Sequence, residues 1–221
     1  MKIDCHCHVF NNDCIPVKGL MQSRFGIAVG SRLTDRINSS KEDRTIPSQD
    51  VLRSHLTFDL SSLLNSLTDP AEKDSIRYLL GHPYDFVRFA LIGRKNMANI
   101  VDGMMKKAKN TDIWVPLMMD TEKGFEGSSS SISFDEQKRI MMDLTATARG
   151  RIWPFFAYDP RSVPVDAVKN AIERDGFAGV KLYPPLGFKP CDNEDGEVEE
   201  RLESLYQYCV CLLYTSPSPR D

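Results

Sequence analysis

The sequence lacks any apolar run approaching the roughly 18 residues that a membrane-spanning helix needs, and no membrane partner is expected. It also lacks a dominant charge: 28 basic and 31 acidic side chains leave a net −3. That balance excludes the broadly basic surface on which non-specific nucleic-acid binding depends. The opening Met1-Lys2-Ile3-Asp4 enters a strand-like run without the basic-then-apolar pattern of a secretion signal, so a cytoplasmic location is expected. Six scattered cysteines in 221 residues are too few for a disulfide framework and suit a reducing compartment. No solenoid-type repeat is present. What remains is ordinary globular material, 41% hydrophobic and 27% charged. A chain of this length suits one domain, or one domain plus an insert, with a core large enough to need no staples.

The periodicity changes along the chain. Lys2 to Phe10 alternates as a strand does and stops at the turn cluster Asn11-Asn12-Asp13. Between about 11 and 110 little strand signal appears. Gly19, Gly26 and Gly30 predict a loop-like start, and Arg32 to Pro47 is polar. Val51 to Leu67 then has helical spacing, Asp69-Pro70 reads as a cap with proline in the first turn, and further helices are predicted over Tyr84–Ile92 and Asn96–Lys107. After that, short apolar runs alternate with helical stretches. Ile113–Met119, Ile152–Tyr158 and Ala178–Tyr183 read as strands. Helices are predicted from the capping box at Ser133 to Ala148, over Val163–Arg174 and over Glu197–Cys209. Alternating buried strands and helices predict an α/β fold with a parallel sheet of βα units. Four such units make the N-terminal half of a (β/α)8 TIM barrel, with a long, mainly helical insert after the first strand. A complete four-stranded doubly wound sheet is the alternative.

Cys211 to Asp221 reads CLLYTSPSPRD. This string resembles the one-frame translation of a transposon-end sequencing adaptor. Residues 211–221 are therefore expected to be a non-native tail, with a truncated barrel over 1–210 whose gene continues past Val210.

The chemistry concentrates in Asp4-Cys5-His6-Cys7-His8, which holds two of the chain's four histidines. Strand alternation puts Asp4, His6 and His8 on one face and Cys5 and Cys7 on the other. Two imidazoles at a strand end can hold one divalent metal, zinc being the expected ion. Asp4 would orient an imidazole from behind. Cys5 and Cys7 are expected to be buried packing residues. Lys181 is predicted to face the sheet side opposite Val180 and Leu182, where an unpaired lysine is costly. It is a candidate substrate-anion binder, against the plainer reading of a head that reaches solvent. Asp120, and Asp159 with Arg161, fall after predicted strands, where barrel sites are built. Asp159-Pro160 is also a plain turn signal, the reading preferred here. His82, beside Gly81 and Pro83, reads as a helix-end residue, and Glu122 and Glu126 as solvated loop carboxylates.

Lys2-Ile3-Asp4-Cys5-His6-Cys7-His8 resembles the first-strand signature of the amidohydrolase superfamily. Gly176 to Pro184 and Phe155 to Arg161 are similar to later strands of its amidohydrolase-related branch, while the helical insert resembles nothing recognised. The resemblance implies a metal-dependent hydrolase of a small-molecule substrate, in which a metal-activated water attacks a C–N or C–O bond. It implies further histidine ligands on strands five and six and an aspartate acid/base on strand eight. His55 and His82, lying in the insert, do not stand in for them. It also implies that Lys181 stands where some members carry a carbamylated, metal-bridging lysine. The same branch includes decarboxylases and hydratases, and a non-catalytic half-barrel is the third possibility. Neither the substrate nor the oligomeric state is specified by the sequence.

Overall fold

Alternating short strands and amphipathic helices give the chain a mixed α/β architecture. The computed structural model describes residues 1–42, 60–82, 93, 95–125 and 127–215. Two compact units share the chain. The first comprises Met1–His8, Asn110–Gly124 and Lys138–Asp221; the second comprises Val9–Lys109 and Phe125–Gln137. Among the described residues no helix is long and apolar enough to cross a membrane.

The first unit carries the strands β1 (Ile3–Cys7), β2 (Ile113–Pro116), β3 (Phe155–Tyr158) and β4 (Gly179–Leu182). β1 pairs with β2 and β3 with β4, both in parallel. Isolated parallel bridges Trp114–Ile152 and Leu117–Phe155 link β2 to β3. The strands thus form two two-stranded sheets, β1–β2 and β3–β4, which these bridges join in the lateral order 1-2-3-4, and no closed barrel is present among the described residues. β2 is buried along its whole length, as a parallel strand covered on both faces must be. β1 is less regular: Asp4 pairs with Trp114 and Cys7 with Pro116, so the register slips between them. That slip breaks the two-residue alternation expected across the motif.

Helices α6 (Val165–Glu173) and α7 (Gly196–Thr215) belong to this unit, as does α5 (Phe134–Thr147) from Lys138 on. α7 buries Val198, Leu202 and Leu205, the i, i+4, i+7 stripe of an amphipathic helix. α6 buries Val168 and Ala171 completely. Phe156 stands edge-on to Phe177 at 5.5 Å between centroids. Burying a side chain such as Phe156 contributes about 1.5–3 kcal/mol. Gly176 ends the α6 connection at φ 82°, a conformation open to glycine at little cost.

The regular elements described in the second unit are helices. α1 (Val17–Phe25) and α2 (Ile27–Glu42) replace the predicted loop. The glycines read as breakers serve packing instead. A Cβ on Gly30 would lie 2.4 Å from the Gln22 backbone, so only glycine permits this approach of α2 to α1. Met21, Val29, Leu33 and Ile37 join Leu60, Ile76 and Leu79 in one buried cluster. α3 (Pro70–Gly81) starts where predicted, with the Asp69 carboxylate accepting from Ala71 N at 2.8 Å. α4 (Met97–Lys107) is capped by Asn96. The Ser133 hydroxyl accepts from Glu136 N at 3.2 Å and opens α5, as the capping pattern predicts. The predicted helix over Tyr84–Ile92 and most of Val51–Leu67 lie outside the described residues.

Candidate functional site

The motif of β1 delivers its histidines together. The rings of His6 and His8 stand edge to face with centroids 5.1 Å apart. His8 follows the last residue of β1, and its Nδ1 lies 3.2 Å from the Leu117 carbonyl, just past β2. With Nδ1–H donating to that carbonyl, the imidazole lone pair sits on Nε2, the arrangement common to metal-ligating histidines. The His8 ring keeps an exposed edge, yet the atoms crowding it lower its pKa below 6.5. Partial burial is the main cause, the charges of His6 and Lys181 add to it, and the Leu117 contact opposes it. At neutral pH the ring is therefore neutral, as a ligand must be.

Asp4 reaches the backbone of the motif. Its carboxylate accepts from the His6 backbone N–H at 3.1 Å, a local turn contact that stiffens the strand end. The cysteines depart from expectation: Cys5 is exposed and Cys7 only half-buried, because the slipped register turns this stretch out of strict alternation. Burial and the nearby Asp4 carboxylate push the Cys7 thiol up to about 12, so it stays protonated. Lys181 pairs in register with buried Ala157, and its ammonium rests 5.3 Å from the centre of the Tyr183 ring. It lies close enough to His8 for its charge to lower that ring's pKa.

A catalytic zinc site uses three protein ligands and an open position. His6 and His8 supply two nitrogens of suitable chemistry. Among the described residues no group of three or more His, Cys, Asp or Glu side chains is placed to hold a metal ion. The pair therefore fits part of a ligand set and not a whole one. His82 caps the C-terminus of α3, stacked on Tyr78 at 4.6 Å, as a helix-end residue should be. Glu122 is exposed, and His55 and Glu126 lie outside the described residues.

The weaker candidates form a second, tighter cluster. Asp120, beyond β2, and Asp159, directly after β3, are both buried, at 4% and 2% exposure. Asp159 does make the expected turn, its carbonyl accepting from Ser162 N and Val163 N. Its carboxylate is more than a turn residue. Arg161 grips it with Nε at 2.9 Å and Nη2 at 2.5 Å. The same Nη2 donates to Leu186 O at 3.0 Å, tying the loop after β4 to the end of β3. Ser162 Oγ donates to Asp120 Oδ2 at 2.6 Å, and Glu122 N to Oδ1 at 3.1 Å. Burial raises the Asp120 pKa above its usual value, against both hydrogen bonds. Ser162 was not singled out by its residue type; only its place three residues after Asp159 hints at the turn that delivers it.

No protein-family model, curated protein or solved structure matches the chain, so the site is read from its residues alone.

Proposed function

We propose that the chain is part of a metal-dependent hydrolase of the amidohydrolase superfamily, built on the first half of a (β/α)8 barrel. The 1-2-3-4 parallel strand order supports this fold over a doubly wound sheet, whose order reverses at a switch point. The observation that carries the function is the adjacent His6–His8 pair at the end of the first strand, with His8 oriented by Leu117. His6 and His8 would hold a divalent ion, zinc by preference for imidazole. Such an ion supplies Lewis acidity and an activated water to a small-molecule substrate. His8 contributes a neutral ring at neutral pH, and the Leu117 carbonyl fixes which nitrogen carries its proton. Lys181 brings positive charge beside the pair, which suits a substrate anion; as a metal bridge it would first have to lose a proton and add carbon dioxide as a carbamate, giving up that charge. Asp4 acts indirectly, by holding the His6 backbone. The further ligands would come from later barrel strands, and the protein would work in the cytoplasm.

The direct test is zinc binding by the whole chain, followed by calorimetry. The His6→Ala, His8→Ala double variant is expected to bind at least about tenfold more weakly, since each lost nitrogen removes a coordinate bond. Unchanged affinity with an unchanged melting curve would overturn the metal assignment.

A further inference from the structure

Arg161 has a side that the Asp159 pair does not use. Asp159 takes Nε and one Nη2 hydrogen, and Leu186 O takes the other. Nη1 has a long contact of 3.4 Å to Gly187 O. Arg161 lines a cavity of about 420 Å³ between the loop after β4 and the start of α7. Pro184, Pro185, Phe188 and Val198 give the cavity apolar walls, and Lys189 brings a second cation to its rim. The Lys189 ammonium has a 3.4 Å contact to Asp192 O, leaving donors to spare. The shape of this cavity is held from several sides. Gly187 sits at φ 117°, and a Cβ there would come within 2.8 Å of Arg161 Nη1. Asn193 bonds both the Lys189 backbone and Glu199, which fixes the far wall.

We infer that this cavity is a binding site for a small monocarboxylate with an apolar body. Arg161 is a rigid donor because Asp159 holds its fork, so little side-chain entropy is lost when an anion docks. The apolar walls favour an aryl or alkyl body over a bare inorganic ion. Acidic groups on the rim set the upper limit on charge. Asp195 is occupied as the cap of α7, accepting from Glu197 N and Val198 N. Glu194 also lines the cavity and repels a second negative charge. A single carboxylate is thus favoured over phosphate or a dicarboxylate. The site uses neither His6 nor His8, so it stands apart from the metal reading.

The test titrates benzoate into the ¹⁵N-labelled, metal-free whole chain and follows amide shifts. Saturable shifts are expected at Gly187, Phe188 and Asn193. Arg161→Lys keeps a charge for Asp159 but loses the Nη1 donor, and should weaken benzoate at least about tenfold. Lys189→Ala, at an exposed position, should weaken it severalfold with the melting curve unchanged. Inorganic phosphate should bind more weakly than benzoate, and Glu194→Gln should narrow that gap. The proposal is overturned if benzoate gives no saturable shifts at these amides. It is equally overturned if phosphate binds as well as benzoate. Should Arg161→Lys fail to fold, Lys189→Ala decides: unchanged benzoate affinity in that variant rejects the site.

Discussion

The ends of β1 and β3 place ionisable groups in opposite ways. At β1, His6 lies in the strand and His8 just past its end, two residues apart, and both keep solvent contact. At β3, buried Asp159 is satisfied by Arg161, and buried Asp120 by Ser162 from a different connection. Exposed groups held by local geometry can change partners or protonation with little effect on the fold. A buried, bidentate pair cannot, because separating it strands a charge where water does not reach. The first arrangement is suited to binding chemistry, and the second to holding three loops in place around it.

That contrast is broken most severely at Asp159. Asp159→Ala leaves the part-exposed Arg161 guanidinium without its main partner and loosens its hold on Leu186, and should cost about 1.5–3 kcal/mol in urea denaturation. His6→Ala, by comparison, should stay within about 0.5 kcal/mol of the parent. If the two variants were equally stable, the buried pair would not be structural. Asp120 gives a smaller and pH-dependent effect. Its folded pKa is raised by burial, so the folded state holds its proton to higher pH than the unfolded chain does. Its ionisation therefore subtracts stability as pH rises from the usual carboxylate value through the raised one. Asp120→Asn can keep both contacts, because Ser162 can accept from the amide and Glu122 N can still donate. The variant should remove that decline, with a gain near neutral pH of about 1 kcal/mol or less. A pH series of melting curves for both proteins decides; parallel curves would remove Asp120 as the source.

Much of this was readable from spacing, and the failures have physical causes. The four strands, the caps at Asp69 and Ser133, the helix beginning near Asn96 and the His6–His8 pair follow from local pattern and short-range hydrogen bonding. α1 and α2 were missed because Gly19 and Gly30 weigh against a helix in isolation. Their value appears only when another backbone or side chain approaches, as Gln22 does at Gly30. The exposure of Cys5 was missed because the register slip in β1 depends on its pairing with β2. The Asp120–Ser162 contact joins positions 42 apart, and the Arg161–Leu186 contact positions 25 apart. No periodicity encodes such pairs. They exist because successive βα units bring the ends of their strands to the same edge.

The smallest effect sharpens the comparison from the other side. His8 has a lowered folded pKa, so the unfolded chain takes up a proton at higher pH than the folded chain does. Its contribution to stability is present above about 6.5 and is lost as pH falls through the lowered folded value. Part of that lowering comes from the Lys181 charge. Lys181→Met removes the charge while keeping much of the stem, so the His8 titration midpoint, read from its ring-proton shift, should move up. His6→Gln should move it the same way, because the electrostatic influence of His6 on His8 is removed. Burial is the larger cause, so neither change should return His8 fully to 6.5. A midpoint unmoved by Lys181→Met would mean that the ammonium is screened from the histidine pair. Lys181 would then be a solvated strand-end lysine, and its proposed part in the metal site would fall while that of His6 and His8 stood.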